Sequence, residues 1–338
     1  MKKQLLIAAV AATMTSVAFA DVSITGGMKV NYTNTDFGST AADTNTVIHE
    51  LDLQVTGKTG ATTVYMELNN DSTDGIADGK ATSTTDNGNF DVEDAWMKTS
   101  VGSVAVKAGT WNGTDTILAK DSTRTTGNWI LSSDVSGVNV AFEGDSEASA
   151  VKTTLKGDIA GVSAKYVMKG AATKSGTNAT KGKATNELYL GTNIAGFDVT
   201  YAMIDSDATT SDAAAFTIAK EFNGVTISYS DVDADASYTV NGDTAAFGDA
   251  AKIANGGMQA GDDASSIKLS TSMAGNTVSA RFVQVDGVVA ANDADVNTFT
   301  VTRPLAGGTT LEVTYTDTDM TGSTNDKEVL DVELAVKF

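Results

Sequence analysis

The chain has 338 residues, no cysteine, one histidine and a net charge of −20 from 43 acidic and 23 basic residues. Without cysteine there is no disulfide frame, thiolate zinc site or iron–sulfur cluster, and a single histidine excludes a multi-histidine metal centre. The acidic balance, with only Arg124, Arg281 and Arg303 as arginines, argues against a nucleic-acid partner, because phosphate binding needs basic patches.

The first element is an export signal. Met1-Lys2-Lys3 is a short positive segment, and Leu5–Val17 is mostly apolar or small. Ala18-Phe19-Ala20 puts small residues before a cut at Asp21. The reading is a signal peptide over 1–20 and one mature domain over 21–338. Removing the signal takes two lysines and no acid, which leaves 318 residues and a net charge of −22. The apolar run is too short to anchor, and no later stretch approaches about 18 apolar residues, so no transmembrane helix is expected.

From Val22 onward nearly every structured stretch alternates with period two, as strands do. Val22–Tyr32 reads as the first strand. Leu51, Leu53 and Val55 then alternate ahead of Gly57. Gly137 is followed by Val138, Val140 and Phe142; Gly161 by Val162, Ala164 and Tyr166. Gly196 is followed by Phe197, Val199 and Tyr201; Gly224 by Val225, Ile227 and Tyr229. Gly275 leads to Val278, Ala280 and Phe282, and Gly308 to Leu311, Val313 and Tyr315. Each glycine supplies a tight hairpin turn, and each apolar run ends on an aromatic. The last strand, Val329–Phe338, sets Leu330, Val332, Leu334, Val336 and Phe338 on one face. Its other face carries Asp331, Glu333, Ala335 and Lys337.

Short turns therefore alternate with long polar segments, the largest being Asn69–Asn89, Lys169–Thr185 and Asp231–Ala264. Eight hairpins with a first and a last strand make eighteen strands in an all-β, antiparallel, up-and-down array. Thr114–Thr125 is the best place for a short helical turn.

Alternation alone does not separate a membrane barrel from a soluble β-sandwich or solenoid. Three features favour the barrel. Charges occupy mid-strand positions on the polar face, aromatics recur at one depth as an interfacial girdle would, and the hairpin array is unbroken. Closing that array removes the sheet edges, which a bilayer requires.

The order of export signal, hairpin array and terminal Phe338 resembles the Gram-negative general porins. Val336 and Phe338 are similar to the apolar pair of the C-terminal assembly signal of outer-membrane barrels, although Glu333 stands where that signal often has glycine. Phe90–Met97 with Gly102–Gly109 is similar to the strand pair preceding the family's third loop. The resemblance implies a trimer in the outer membrane, sixteen strands rather than eighteen, short periplasmic turns and long extracellular loops. It also implies a third loop, here Trp111–Gly127, folded into the lumen, with Asp115, Lys120, Asp121 and Arg124 at the constriction.

With the polar face turned inward, Lys107 lines the pore, and Lys152, Lys156, Lys165 and Lys169 of one hairpin form a basic wall. Glu50, Asp52, Glu67, Asp331 and Glu333 form an acidic sector, because first and last strands are neighbours in a closed barrel. Separated walls of opposite sign orient dipolar solutes and set ion preference. Few arginines and many acids lead to an expected weak preference for cations.

Asp231, Asp233 and Asp235 alternate as at the start of a calcium loop, but the glycine and glutamate of an EF-hand are missing. They read as a solvated acidic loop, with incidental Ca2+ bridging as the other possibility. His49 falls on the apolar parity and reads as an interfacial or subunit-contact residue. As the general base of a hydrolytic barrel it would lack an identifiable nucleophile. Trp96 and Asp94 share one parity, which suggests a subunit interface.

The function that follows is passive diffusion of ions and small hydrophilic solutes, with no cofactor. A substrate-preferring channel, for sugars or similar solutes, is the alternative, and an adhesin or surface-structural barrel is the third. An inward aromatic track would favour the sugar channel; Tyr65 and Tyr189 are the main inward rings expected.

Overall fold

A computed structural model describes residues 21–38, 42–72, 76–77, 80–81, 91–112, 118, 124–144, 151–170, 184–207, 212–235, 238, 247, 261–288, 293–321 and 326–338. The expected signal peptide lies outside them.

The strands are β1 (Asp21–Asp36), β2 (Thr44–Thr59), β3 (Thr62–Ser72), β4 (Asp91–Val101), β5 (Val104–Asn112), β6 (Arg124–Val135), β7 (Val138–Gly144), β8 (Lys152–Ile159) and β9 (Val162–Lys169). The second half comprises β10 (Thr185–Ile194), β11 (Phe197–Ser206), β12 (Ala213–Phe222), β13 (Val225–Ala234), β14 (Asp263–Met273), β15 (Asn276–Asp286), β16 (Ala294–Pro304), β17 (Thr309–Met320) and β18 (Lys327–Lys337). Each pairs antiparallel with the next. β1 also pairs with β18, from Gly27 opposite Lys337 to Asp36 opposite Glu328, so the 18-stranded sheet closes on itself. Eighteen, the hairpin count, is the strand number, and the sixteen implied by the family resemblance is not. A short extra hairpin, Ile76–Ala77 with Lys80–Ala81, stands outside the barrel sheet.

The short turns follow from their residue pairs. Ser136-Gly137, Ala160-Gly161, Ala195-Gly196, Asn223-Gly224 and Ala274-Gly275 have positive φ at both positions, 50–53° and then 78–86°. That is the twist-matching hairpin turn in which glycine at the second position carries no Cβ penalty.

Several expected boundaries move. Asn69–Ser72 belongs to β3 rather than to a loop, and Trp111–Asn112 and Arg124–Gly127 belong to β5 and β6. The third loop is therefore shorter than Trp111–Gly127, and Arg124 and Thr125 are strand rather than helical turn. Asp231–Ala234 continue β13, and Asp263 begins β14. In each case alternation runs on into polar residues, because ladder hydrogen bonds do not depend on side-chain polarity.

Candidate functional site: the inner wall of the barrel

Burial identifies the inner face. Val283 is 3% exposed and its neighbour Phe282 is 40% exposed. Nothing packs on the outside of a lone barrel, so full burial marks the concave side. Directly opposed residues share a face, and the register carries this assignment around the sheet. Buried Ala202 faces Tyr189, Tyr189 faces Lys165, and Lys165 faces Lys156. The outer face carries the aromatic rows, including Phe216 against Tyr229 at 5.6 Å and Phe282 against Phe299 at 6.0 Å.

The acidic residues Glu50, Asp52, Glu67, Asp331 and Glu333 all stand on the inner face, and Glu312 joins them opposite Glu333. Lys29 of β1 pairs with Glu50. The Thr33 hydroxyl donates to Asp331. Glu67 accepts from Gln54 Nε2 and from the Tyr65 hydroxyl, both at 2.9 Å. These residues lie on β17, β18, β1, β2 and β3, one contiguous sector across the closure.

Lys107, Lys152, Lys156, Lys165 and Lys169 share the same face. Lys152 stands opposite Lys169 and Lys156 opposite Lys165. Glu143 interrupts this wall with an ion pair to Lys152 at 2.8 Å. Lys268 and Arg281, opposite each other on β14 and β15, form a second basic pair.

The inner face is not polar throughout. Ala202, Ala213, Ala215, Val232, Ala264, Val283, Val285 and Val296 make an apolar patch toward the loop ends of β11–β16. Leu118, between β5 and β6, and Phe247, between β13 and β14, are both 0% exposed and belong to that cluster. Tyr238 packs against it. Burial and the nearby Glu187 carboxylate push the Tyr238 phenol up to about 12, so it stays neutral. Leu118 and Phe247, one residue from each of two connections, thus lie inside the barrel, and Leu118 sits against the wall opposite its own strands.

The Gram-negative porin family model matches residues 7–323. The chain belongs to the Gram-negative porin family. It is accordingly an outer-membrane channel for solutes and not an enzyme. No curated protein matches this porin in sequence. Among solved structures, it is similar to OccK11 (OpdR) of Pseudomonas aeruginosa at 12% identity and TM-score 0.68, covering 95% of this chain and 96% of that one. It is similar to OccAB3 of Acinetobacter baumannii at 11% identity and TM-score 0.65, covering 94% and 100%. A triple mutant of the Rhodopseudomonas blastica porin matches at 15% identity and TM-score 0.54, covering 94% and 100%.

Several sequence expectations are corrected in the porin. Trp96 and Asp94 lie on the inner face, so their shared parity marks the lumen rather than a subunit interface. Asp231 and Asp233 stand on the outer face of β13, where the Tyr229 hydroxyl donates to Asp231 at 2.9 Å. They do not form a loop. The β13–β14 connection is not wholly solvated, since Phe247 and Tyr238 enter the apolar cluster. Among the described residues no His, Asp or Glu cluster is arranged to hold a metal. His49 faces outward with Val30. Asp115, Lys120 and Asp121 lie outside the described residues, as does the Arg124 side chain.

Sequence reading missed two inward rings, Trp96 and Trp111. The Lys107 ammonium lies 4.5 Å from the Trp96 centroid and 4.1 Å from the Trp111 centroid. The available signal was even spacing on one strand, Trp111 from Lys107 and Trp96 from Asp94 and Lys98.

Proposed function

We propose that this porin passes ions and small hydrophilic solutes by passive diffusion, weakly prefers cations, and works as a homotrimer. The observation that carries the preference is the acidic sector of Glu50, Asp52, Glu67, Glu312, Asp331 and Glu333. Among the described residues of that sector Lys29 is the counter-charge, whereas the lysine wall is broken by Glu143. Leu118 and Phe247 lie against the apolar patch at the loop ends of β11–β16, which sets a wetter, charged β1–β10 wall opposite it. A low-dielectric wall focuses the field of fixed charges there. Charges on the outer rim are screened within about 8 Å at physiological salt and contribute little.

The trimer rests on the family resemblance, and so does the placing of Asp115, Lys120, Asp121 and Arg124 at the narrowest point. The mature chain starts at Asp21, after export through residues 1–20. Liposome swelling tests the diffusion reading. The rate should fall smoothly with solute size and show no saturation for small polyols; saturation by an acyclic polyol would contradict it.

A further inference from the structure

A column of side chains on the inner wall joins the acidic sector to the lysine wall, and charge alone does not account for it. Tyr65 and Trp96 stand opposite each other on β3 and β4. Their ring centroids are 5.0 Å apart and their planes 20° from parallel. Lys107 continues the column by lying over Trp96 and then Trp111. Trp111 is 7% exposed, which fixes that end, while Tyr65 and Trp96 are only half-buried. Ring surface therefore remains in the lumen.

The backbone is built around this column. The pairing shifts between Met66 and Leu68 on the β3–β4 side and between Gly109 and Trp111 on the β5–β6 side. Such bulges re-aim side chains and gather near functional sites. Gly109 faces Trp96 with φ of +143°, and a Cβ there would lie 2.1 Å from the Ala95 carbonyl oxygen and 2.6 Å from the Trp96 Cα. The strands approach so closely under the indole that a side chain would displace it. A merely wet, charged wall has no need of these features.

Polar groups of both signs flank the rings, with the Asp94 carboxylate near both Tyr65 and Lys107. At the Tyr65 end are Glu67 and, one step along β2 from Gln54, Asp52. At the other end is the Lys107 ammonium. We propose that the column is a stacking subsite for small ring-bearing zwitterions, the chemical class of aromatic amino acids. The ring lies against Tyr65 and Trp96. The ammonium turns toward Glu67 and Asp52, and the carboxylate toward Lys107. This deepens the diffusion-channel reading and rests on it. The site is open to water and its charges are screened, so binding is weak, as conduction requires.

The test is single-channel recording of the mature chain, with the current expressed as a fraction of each pore's own open level. L-Phenylalanine should interrupt the current at lower concentration than L-alanine or D-glucose does. Trp96→Leu and, separately, Tyr65→Leu should each weaken that block by about two- to tenfold, the range one aromatic pair supplies. Either variant suffices if the other does not fold. Lys107→Gln should weaken block by phenylalanine but not by benzyl alcohol. Equal block by phenylalanine and alanine in a conducting wild-type pore would overturn the subsite and leave the channel reading intact. So would block by glucose as strong as by phenylalanine, since a ring without charges would then suffice. A wild-type chain that forms no pore would instead sink the channel reading.

Discussion

Phe338 is hydrogen-bonded to Gly26 in both directions. The Gly26 N–H donates to the Phe338 carbonyl at 2.9 Å, and the Phe338 N–H donates to the Gly26 carbonyl at 3.0 Å. A Cβ on Gly26 would lie 2.8 Å from the Phe338 ring and 2.6 Å from the Asp52 carbonyl oxygen. The terminal ring is thus laid across the first strand at the seam that closes the barrel. Gly26→Val should reduce the yield of folded, heat-modifiable barrel. Deleting Phe338 should impair insertion far more than deleting one residue from the β13–β14 connection. Equal yields from the two deletions, read on unheated gels, would contradict an assembly role for Val336 and Phe338.

Leu118 and Phe247 are fully buried in one apolar cluster, so Leu118→Ala should cost about 2–5 kcal/mol of packing in that cluster. The barrel ladder is untouched, so the cost should appear as a released loop rather than as unfolding. Leu118→Asp and Phe247→Asp should each raise single-channel conductance. The double variant should add little, because coupled neighbours are not additive. Unchanged conductance in both single variants would show that these residues do not hold a constriction.

Glu143 compensates Lys152 at 2.8 Å. Glu143→Gln should therefore free a positive charge on the wall and move the reversal potential toward anions, while Lys152→Gln moves it toward cations. Both partners are part-exposed, so stability should change by less than about 1 kcal/mol. A shift of the same sign in both variants would contradict the wall assignment.

Export supplies a fourth prediction. N-terminal sequencing of the protein from outer membranes should begin at Asp21. A chain that retains Met1 would refute the cleavage.

Strand number and face were legible because a half-solvated strand writes its two faces as alternate letters. Leu330 to Phe338 and Asp331 to Lys337 are the plainest case, and the register preserves them. Parity does not say which face is concave. Asp94 and Trp96 looked like an interface for that reason. The inner apolar patch was hidden in the same way: Val283 and Val285 are apolar on the face where Arg281 is charged, so the strand carries apolar residues on both parities. Their partners, Leu118 and Phe247, sit in polar connections with no periodicity at all. Trp111 was hidden because its strand runs past the expected loop boundary.

The reversal potential of the purified mature porin across a KCl gradient reads the balance between the acidic sector and the lysine wall. It should be small, of cation-selective sign, and should shrink as salt rises and the Debye length shortens. Neutralising Asp115 and Asp121 to Asn, or Glu50 and Glu67 to Gln, should move it toward anions. Neutralising Asp233 and Asp235 on the outside should do little. An anion-selective wild-type pore, or a larger effect from Asp233 and Asp235 than from Asp115 and Asp121, would rule out a cation preference set by the inner acidic residues.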